Sequence, residues 1–273
     1  MGAVAIVLLN QKGGVGKTST CHHLAGSLAK MGRRVLLMDN DPQGSLTQGL
    51  LGPDATRDLD PFDTIYALYH SGADPAQVAR RTDFEGIDLI PGNEMVTEYN
   101  TPRPHLTAHH DHQFALREAV NMARDDYDLI MIDCPPNLHL CSWAALTAAD
   151  GLVIPLQPED YGAQGIRDVH ESIRLVRHHT NPDLAVLGYL VTMWNARRAI
   201  HKMYDENLRS LYGAEVFETR ISHAAEYPEA IAYRKPIAMY KPKGTAARTM
   251  HALAEELLSR LAGSANVMEG EAA

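Results

Sequence analysis

Apolar runs recur along this chain at 3–9, 35–38, 87–90, 129–132, 152–156, 184–192 and 216–221. Most are continuous rather than alternating, the pattern of strands buried on both faces of a parallel sheet. Segments of helical period lie between them. Residues 17–31 place Cys21, Leu24, Leu28 and Met31 on one face and stop at Gly32. Similar segments cover 107–125, 138–148, 163–178, 198–212 and 245–261, the last with Met250, Leu253, Leu257 and Leu261 in one stripe. This alternation predicts an α/β fold, a doubly wound, mostly parallel sheet with helices on both faces and ligands at the strands' carboxyl ends. Residues 51–83 and 91–106 are rich in Pro, Asp and Gly and are expected to be irregular edge decoration. One domain over 1–261 and a disordered acidic tail over 262–273 complete the expected layout.

The first apolar run leads into Lys12-Gly13-Gly14-Val15-Gly16-Lys17-Thr18-Ser19, where a helix pattern opens. A strand feeding a glycine-rich turn into a helix start builds a nest of backbone N–H groups, a ready seat for a polyphosphate. Lys17, placed at a helix start, opposes the helix dipole unless an anion is bound there. It suits β- and γ-phosphate charge, and the Thr18 hydroxyl suits a Mg²⁺ ligand. Lys12 precedes the glycines, where an ordinary phosphate loop requires no lysine.

With that extra lysine, the loop resembles the deviant Walker A motif of the ParA/MinD superfamily. Val35 to Ser45, containing Asp39-Asn40-Asp41-Pro42-Gln43-Gly44, resembles the family's switch I. Asp128 to Pro136, containing Asp133-Cys134-Pro135-Pro136, resembles its Walker B strand and switch II. The three motifs come in the family's order, each at the end of an apolar run, and the looser likeness extends over about 1–261. The resemblance implies a P-loop ATPase that binds ATP and Mg²⁺ and closes as a homodimer around two nucleotides. Lys12 would reach the partner's phosphates, Asp41 would position the attacking water, and Thr18, Asp39 and Asp133 would order the metal. Residues 12–19 would form the nucleotide site, with loop 221–224 edging the adenine. It further implies the short ParA form, which binds non-specific DNA, segregates plasmid or chromosome DNA, and hydrolyses ATP when a ParB-like or cargo-adaptor protein stimulates it.

Charge qualifies that expectation. The chain carries a net −9, unlike a generally basic nucleic-acid binder, but residues 191–250 hold ten Lys/Arg against six Asp/Glu. Arg197, Arg198, Arg220, Arg234, Lys235, Lys241 and Lys243 are the candidate DNA contacts. The segment Ser222-His223-Ala224-Ala225-Glu226 departs from the family pattern, which has arginines where His223 and Glu226 stand. An acid facing phosphate opposes the charge term that dominates non-specific binding. That departure keeps a protein-positioning ATPase in view as an alternative cargo class.

Three cysteines, Cys21, Cys134 and Cys141, give no disulfide framework and suggest a reducing compartment. With no signal-peptide pattern and no apolar run near the ~20 residues of a membrane span, a cytoplasmic, nucleoid-associated protein is expected. The last helix has a packing stripe rather than a basic membrane-binding face, so no membrane partner is expected. A [4Fe–4S] cluster of the nitrogenase iron-protein type needs a cysteine before the Walker B aspartate, and none lies between 22 and 133. His105, His109, His110 and His112 read as a solvated helix entry in preference to a metal site. Two rivals from other classes are a P-loop ligase and a nucleotide-binding regulator without turnover; Asp41 argues against the second.

Overall fold

The computed structural model describes residues 2–158 and 163–271, with side chains not described at 163–165 and beyond 263. A seven-stranded sheet runs β3-β4-β2-β5-β1-β6-β7. Its strands are β1 (Val4–Leu8), β2 (Val35–Asp39), β3 (Arg80–Arg81), β4 (Ile87–Ile90), β5 (Leu129–Asp133), β6 (Gly151–Leu156) and β7 (Ala185–Val191). All pair in parallel except the two-residue edge strand β3, which lies antiparallel to β4.

Because successive strand residues face opposite sides, each strand feeds two apolar layers, which explains the continuous runs. Ala5, Val7, Leu36, Met38, Ile130 and Ile132 face one layer, which is closed by α4 (Ile65–Ser71), α7 (His110–Ala123), α8 (Leu140–Ala148) and α9 (Ala163–His179). Ile6, Leu8, Val35, Leu37, Leu129 and Met131 face the other layer, closed chiefly by α1 (Lys17–Lys30), α2 (Ser45–Leu51) and α13 (Thr245–Glu271). Between α9 and α13 the chain adds α10 (Ala199–Tyr212), α11 (Glu226–Ala232) and α12 (Ile237–Tyr240). No helix among the described residues is long and apolar enough to cross a membrane.

Four features differ from the sequence expectation. The run 216–221 is not assigned as a strand of the sheet; it meets β7 at a bridge from Val216 to Tyr189, with the Phe217 N–H donating to Tyr189 O (2.9 Å) and the Ile221 N–H to Val191 O (2.9 Å). Between those contacts side chains of α13 take its backbone groups: the Glu256 carboxylate accepts the N–H of Glu218 (2.8 Å) and of Thr219 (2.9 Å), and the Arg260 guanidinium donates to Val216 O (3.0 Å) while lying over the Phe217 ring. Once those groups are paired, a ladder is not needed. The stretches 51–83 and 91–106 are largely helical, holding α3 (Pro53–Arg57), α4, α5 (Pro75–Val78), α6 (Pro104–Thr107) and 3-10 turns at Pro61–Asp63 and Glu94–Glu98. Their polar residues are caps: Asp60, Thr64, Asp74 and Asn93 each accept an N–H two residues on. Edge strand β3 also lies in the stretch read as irregular. Finally, the segment from 262, expected as a disordered tail, continues α13 as far as Glu271.

A buried histidine pair marks the junction of α1 with α2, α11 and α12. His22 and His23 are 1% and 0% exposed. His23 Nδ1 accepts the N–H of Ile237 at 3.0 Å, so its neutral ring carries the proton on Nε2. Among the described residues neither His22 nitrogen nor His23 Nε2 has a hydrogen-bond partner. Burial pushes His22 from the ordinary 6.5 down to about 4, and burial with the neighbouring His22 pushes His23 to about 3.

The folded rings therefore stay neutral where the unfolded chain takes up protons. Stability from this source is full above pH 6.5 and is lost as pH falls towards about 4, at up to ~1.4 kcal/mol per pH unit and group. Buried carboxylates described below, whose pKa values are raised, contribute with the opposite sign, so the difference between two proteins is the informative quantity. The melting temperature of His22→Leu minus that of the wild type should grow as pH is lowered from 7 to 5; a pH-independent difference would show that His22 is not held neutral.

Candidate functional site

Three adjacent strands, β2, β5 and β1, end at the same level. Leu8 and Asp39 both stand in register with Asp133. The phosphate loop leaves β1, the Asp39–Asp41 turn leaves β2, and Asp133 closes β5, so the sheet brings the three motifs of the sequence together.

The loop is held from below. Asn10, 2% exposed, donates from Nδ2 to Pro155 O (2.7 Å) and accepts the Lys12 N–H at Oδ1 (3.0 Å). The Thr192 hydroxyl donates to Val15 O (2.8 Å), tying the loop to the end of β7. Gly16 has φ 85°, a left-handed turn into α1 that a side chain would strain. Met193, next to Thr192, also has positive φ (51°). The start of α1 has no side-chain cap and no acid in its first turn. Its first N–H groups have no intrahelical acceptors, which makes this terminus receptive to an anion.

Lys17, at the helix start, is only 6% exposed. Its amine donates to Asn10 O (3.0 Å) and Lys12 O (3.1 Å), curling back over the loop. Burial lowers its pKa, partly opposed by the charges of Asp133, Cys134 and Asp41. Gly13, Gly14 and the Lys12 side chain lie exposed at the rim, Val15 is buried, and Thr18 and Ser19 are partly exposed.

The carboxylates differ in their engagement. Asp39 is fully buried and accepts at Oδ2 from both the N–H (2.8 Å) and the hydroxyl (2.6 Å) of Thr47 on α2. The Thr47 hydroxyl in turn accepts the Gly92 N–H (2.8 Å), and a Cβ at Gly92 would stand 2.8 Å from the Asp39 carboxyl carbon. Asp41, 8% exposed, accepts the Gln43 N–H at 3.0 Å in a local turn. Asp133 is fully buried, and among the described residues neither of its oxygens has a hydrogen-bond partner. Burial and then the Asp39 charge push its pKa up, and the nearby Thr18 hydroxyl and Lys17 only partly offset this. Burial also raises Asp39, against the two Thr47 hydrogen bonds. An orphaned carboxylate in this setting is costly, and a cation is the natural means of relieving it.

Among the described residues there is no group of three His, Cys, Asp or Glu side chains able to hold a metal. Mg²⁺ does not need one, since it binds one or two carboxylates and completes its octahedron with phosphate and water. Thr18 and Asp133, with Asp39 tied to Thr47 behind them, fit that donor set. Cys134 and Cys141 are buried free thiols in the apolar layer.

The basic residues separate into two groups. Arg220 is committed to Asp205 by two hydrogen bonds (2.9 and 2.6 Å) and lies over the Trp194 ring. Lys241 is paired with Glu229 at 2.7 Å. These two, expected among the DNA contacts, have their charge met within the chain. Arg197, Arg198, Arg234, Lys235 and Lys243 remain exposed. Thr47, Asn10 and Thr192 carry the site's geometry without having been singled out in the sequence. Their signal lies in burial and partners, which only the tertiary structure supplies.

The AAA domain family matches residues 3–186. The sporulation initiation inhibitor protein Soj of Bacillus subtilis is 35% identical over 92% of this chain and 97% of its own length. The chromosome-partitioning ATPase Soj of Thermus thermophilus is 36% identical over 94% of this chain and 96% of its own. Cobyrinic acid a,c-diamide synthase of Mycobacterium smegmatis, solved with an ATP analogue and magnesium, superposes with a TM-score of 0.79 at 29% identity, covering 94% of each chain. With the loop, the two switch turns and the sheet order in agreement with these similarities, the chain belongs to the ParA/MinD superfamily of P-loop ATPases.

Proposed function

We propose that this protein is an ATP-driven dimerisation switch of the ParA type, which binds DNA without sequence preference as a dimer and moves a DNA cargo. The observation that carries the reading is the uncapped start of α1 with Lys17 and the orphaned Asp133 carboxylate beside it. That arrangement offers N–H donors and a lysine to an anion and a carboxylate to a cation, and ATP with Mg²⁺ fits both. The loop N–H groups and Lys17 bind the phosphates, with the lysine amine moving from its carbonyl partners to the anion. Asp133 and the Thr18 hydroxyl would hold Mg²⁺, which when bound would supply charge neutralisation for the phosphates. Asp41 holds and orients the attacking water. Lys12, exposed at the rim, reaches the nucleotide of a second copy, as an arginine finger does. A ParB-like or cargo-adaptor protein accelerates hydrolysis, and the nucleotide thereby times the life of the dimer.

Of the candidate DNA contacts, Arg197, Arg198, Arg234, Lys235 and Lys243 are exposed, in a cytoplasmic, nucleoid-associated setting. The second reading is a cargo that is a protein assembly rather than DNA. It is favoured by the internal pairing of Arg220 and Lys241 and by Glu226 at the start of α11. A ligase of the kind the Mycobacterium smegmatis neighbour is named for would turn over ATP without needing a second copy. ATPase activity per molecule that rises with protein concentration separates the switch from the ligase.

Two measurements test the switch. Lys12→Ala should bind ATP as a monomer with near-normal affinity yet stay monomeric in sedimentation with ATP; an ATP-dependent dimer identical to the wild type's would overturn the role across the dimer. Asp41→Ala should form a persistent ATP dimer that binds arbitrary-sequence duplex DNA with ATP but not ADP. Its affinity should fall with salt, and Arg197→Ala added to it should make the log–log slope shallower by about 0.9 per protomer, about 1.8 for the dimer. Absence of DNA binding at low salt, with the dimer formed, would favour the protein-cargo reading.

A further inference from the structure

Between the two switch I carboxylates stands Asn40, fully buried and polar. Along β2, Leu36 and Met38 face the layer of α4, α7 and α8, whereas Val35 and Leu37 face the layer of α1. Asn40 continues the first set. Its Nδ2 donates to Cys141 O in the first turn of α8 (2.7 Å), and its Oδ1 accepts the hydroxyl of Tyr69 on α4 (2.9 Å). Its backbone N–H donates to Asp133 O (3.0 Å). Tyr69 is itself 3% exposed and stacked on Tyr99 at 5.9 Å. The residue after Tyr99, Asn100, accepts the Cys141 N–H at 3.1 Å, so the acceptor of Asn40 is also fixed.

An apolar side chain would fill this place without needing any partner. The amide instead spends both ends on directional bonds to two different helices, in a dry layer where a lost partner leaves its mate unsatisfied. Those bonds fix the rotation of the chain at Asn40. Asp41 follows directly, and among the described residues its own anchors are the local turn to Gln43 and Gly44 and a long 3.4 Å contact of its N–H with Asp39. The direction in which Asp41 presents its carboxylate is thus set from the opposite face of the sheet.

We propose that Asn40, clamped by the Tyr69 hydroxyl, is a positioning residue for Asp41 in the hydrolytic step. The inference rests on the reading of Asp41 as the group that orients water. It assigns no contact between Asn40 and the nucleotide. Loss of the clamp leaves the phosphate loop, Lys17 and Asp133 in place, so binding of ATP is spared while turnover is not.

The test compares Tyr69→Phe, Asn40→Leu and the double variant with the wild type. Each should lower kcat for ATP hydrolysis about tenfold, while affinity for a non-hydrolysable ATP analogue changes less than about twofold. The double variant should be no slower than Asn40→Leu alone, since both remove one linkage. Tyr69→Phe keeps the ring and its stacking, so it remains informative if Asn40→Leu fails to fold. A folded Tyr69→Phe with wild-type kcat would overturn the proposal, as would a loss of analogue affinity that matches the loss of kcat, which marks a merely structural role. Asp41→Ala measured alongside keeps the two readings apart: wild-type turnover in that variant would remove the Asp41 assignment itself, whereas its loss together with an unaffected Tyr69→Phe would remove only the clamp.

Discussion

The register between β1, β5 and β2 is the constraint on which the rest of the site depends. Parallel strands end level with one another, and Asp133 stands opposite both Leu8 and Asp39. Two carboxylates are thereby forced into a dry space beside a lysine. Each alone is an unfavourable burial, and the Asp39 charge adds to burial in raising the proton affinity of Asp133. The fold tolerates this because Thr47 and the backbone around Gly92 satisfy one of the two, leaving the other for a ligand. Instability at this point is the complement of affinity: a group left unsatisfied by the chain is available to be satisfied by something else.

Much of the frame was legible from the order of residues. Continuous apolar runs gave the parallel sheet, and the glycines before Lys17 marked the strand-to-helix turn. Legibility failed where backbone groups are satisfied by distant side chains. The 216–221 run has the composition of a strand, but Glu256 and Arg260 occupy the hydrogen-bonding groups of Val216, Glu218 and Thr219 and break its pairing with β7, and nothing local announces that. It failed again where capping residues resemble loop residues, as at Asp74-Pro75 and Thr64. A seven-residue helix such as α4 is too short to show a period, and it exists because Ile65, Tyr66, Leu68 and Tyr69 are buried by the neighbouring layer.

At the site, the residues proposed to touch a ligand were easier to read than those that hold them. Lys17, Asp41 and Asp133 belong to short local motifs. Asn10, Asn40, Thr47 and Thr192 act through partners far along the chain, at Pro155, Cys141, Gly92 and Val15. Charge was the least legible property. Arg220 and Lys241 count as basic in any tally of the sequence, yet Asp205 and Glu229 neutralise them, so a local excess of arginine and lysine overstates the field that reaches solvent.

The central position of β1 has a consequence for how the protein comes into being. The strand is the first to be synthesised, but its neighbours are β5 and β6. A nascent chain elongating at ~5–20 residues per second exposes the phosphate loop for on the order of 10 s before either flank has emerged. During that interval the glycine turn has no sheet to stand on, and α1 has not met α13. The earliest-made motif is therefore among the last to become competent, and a ribosome-bound fragment has no formed nucleotide site to fill.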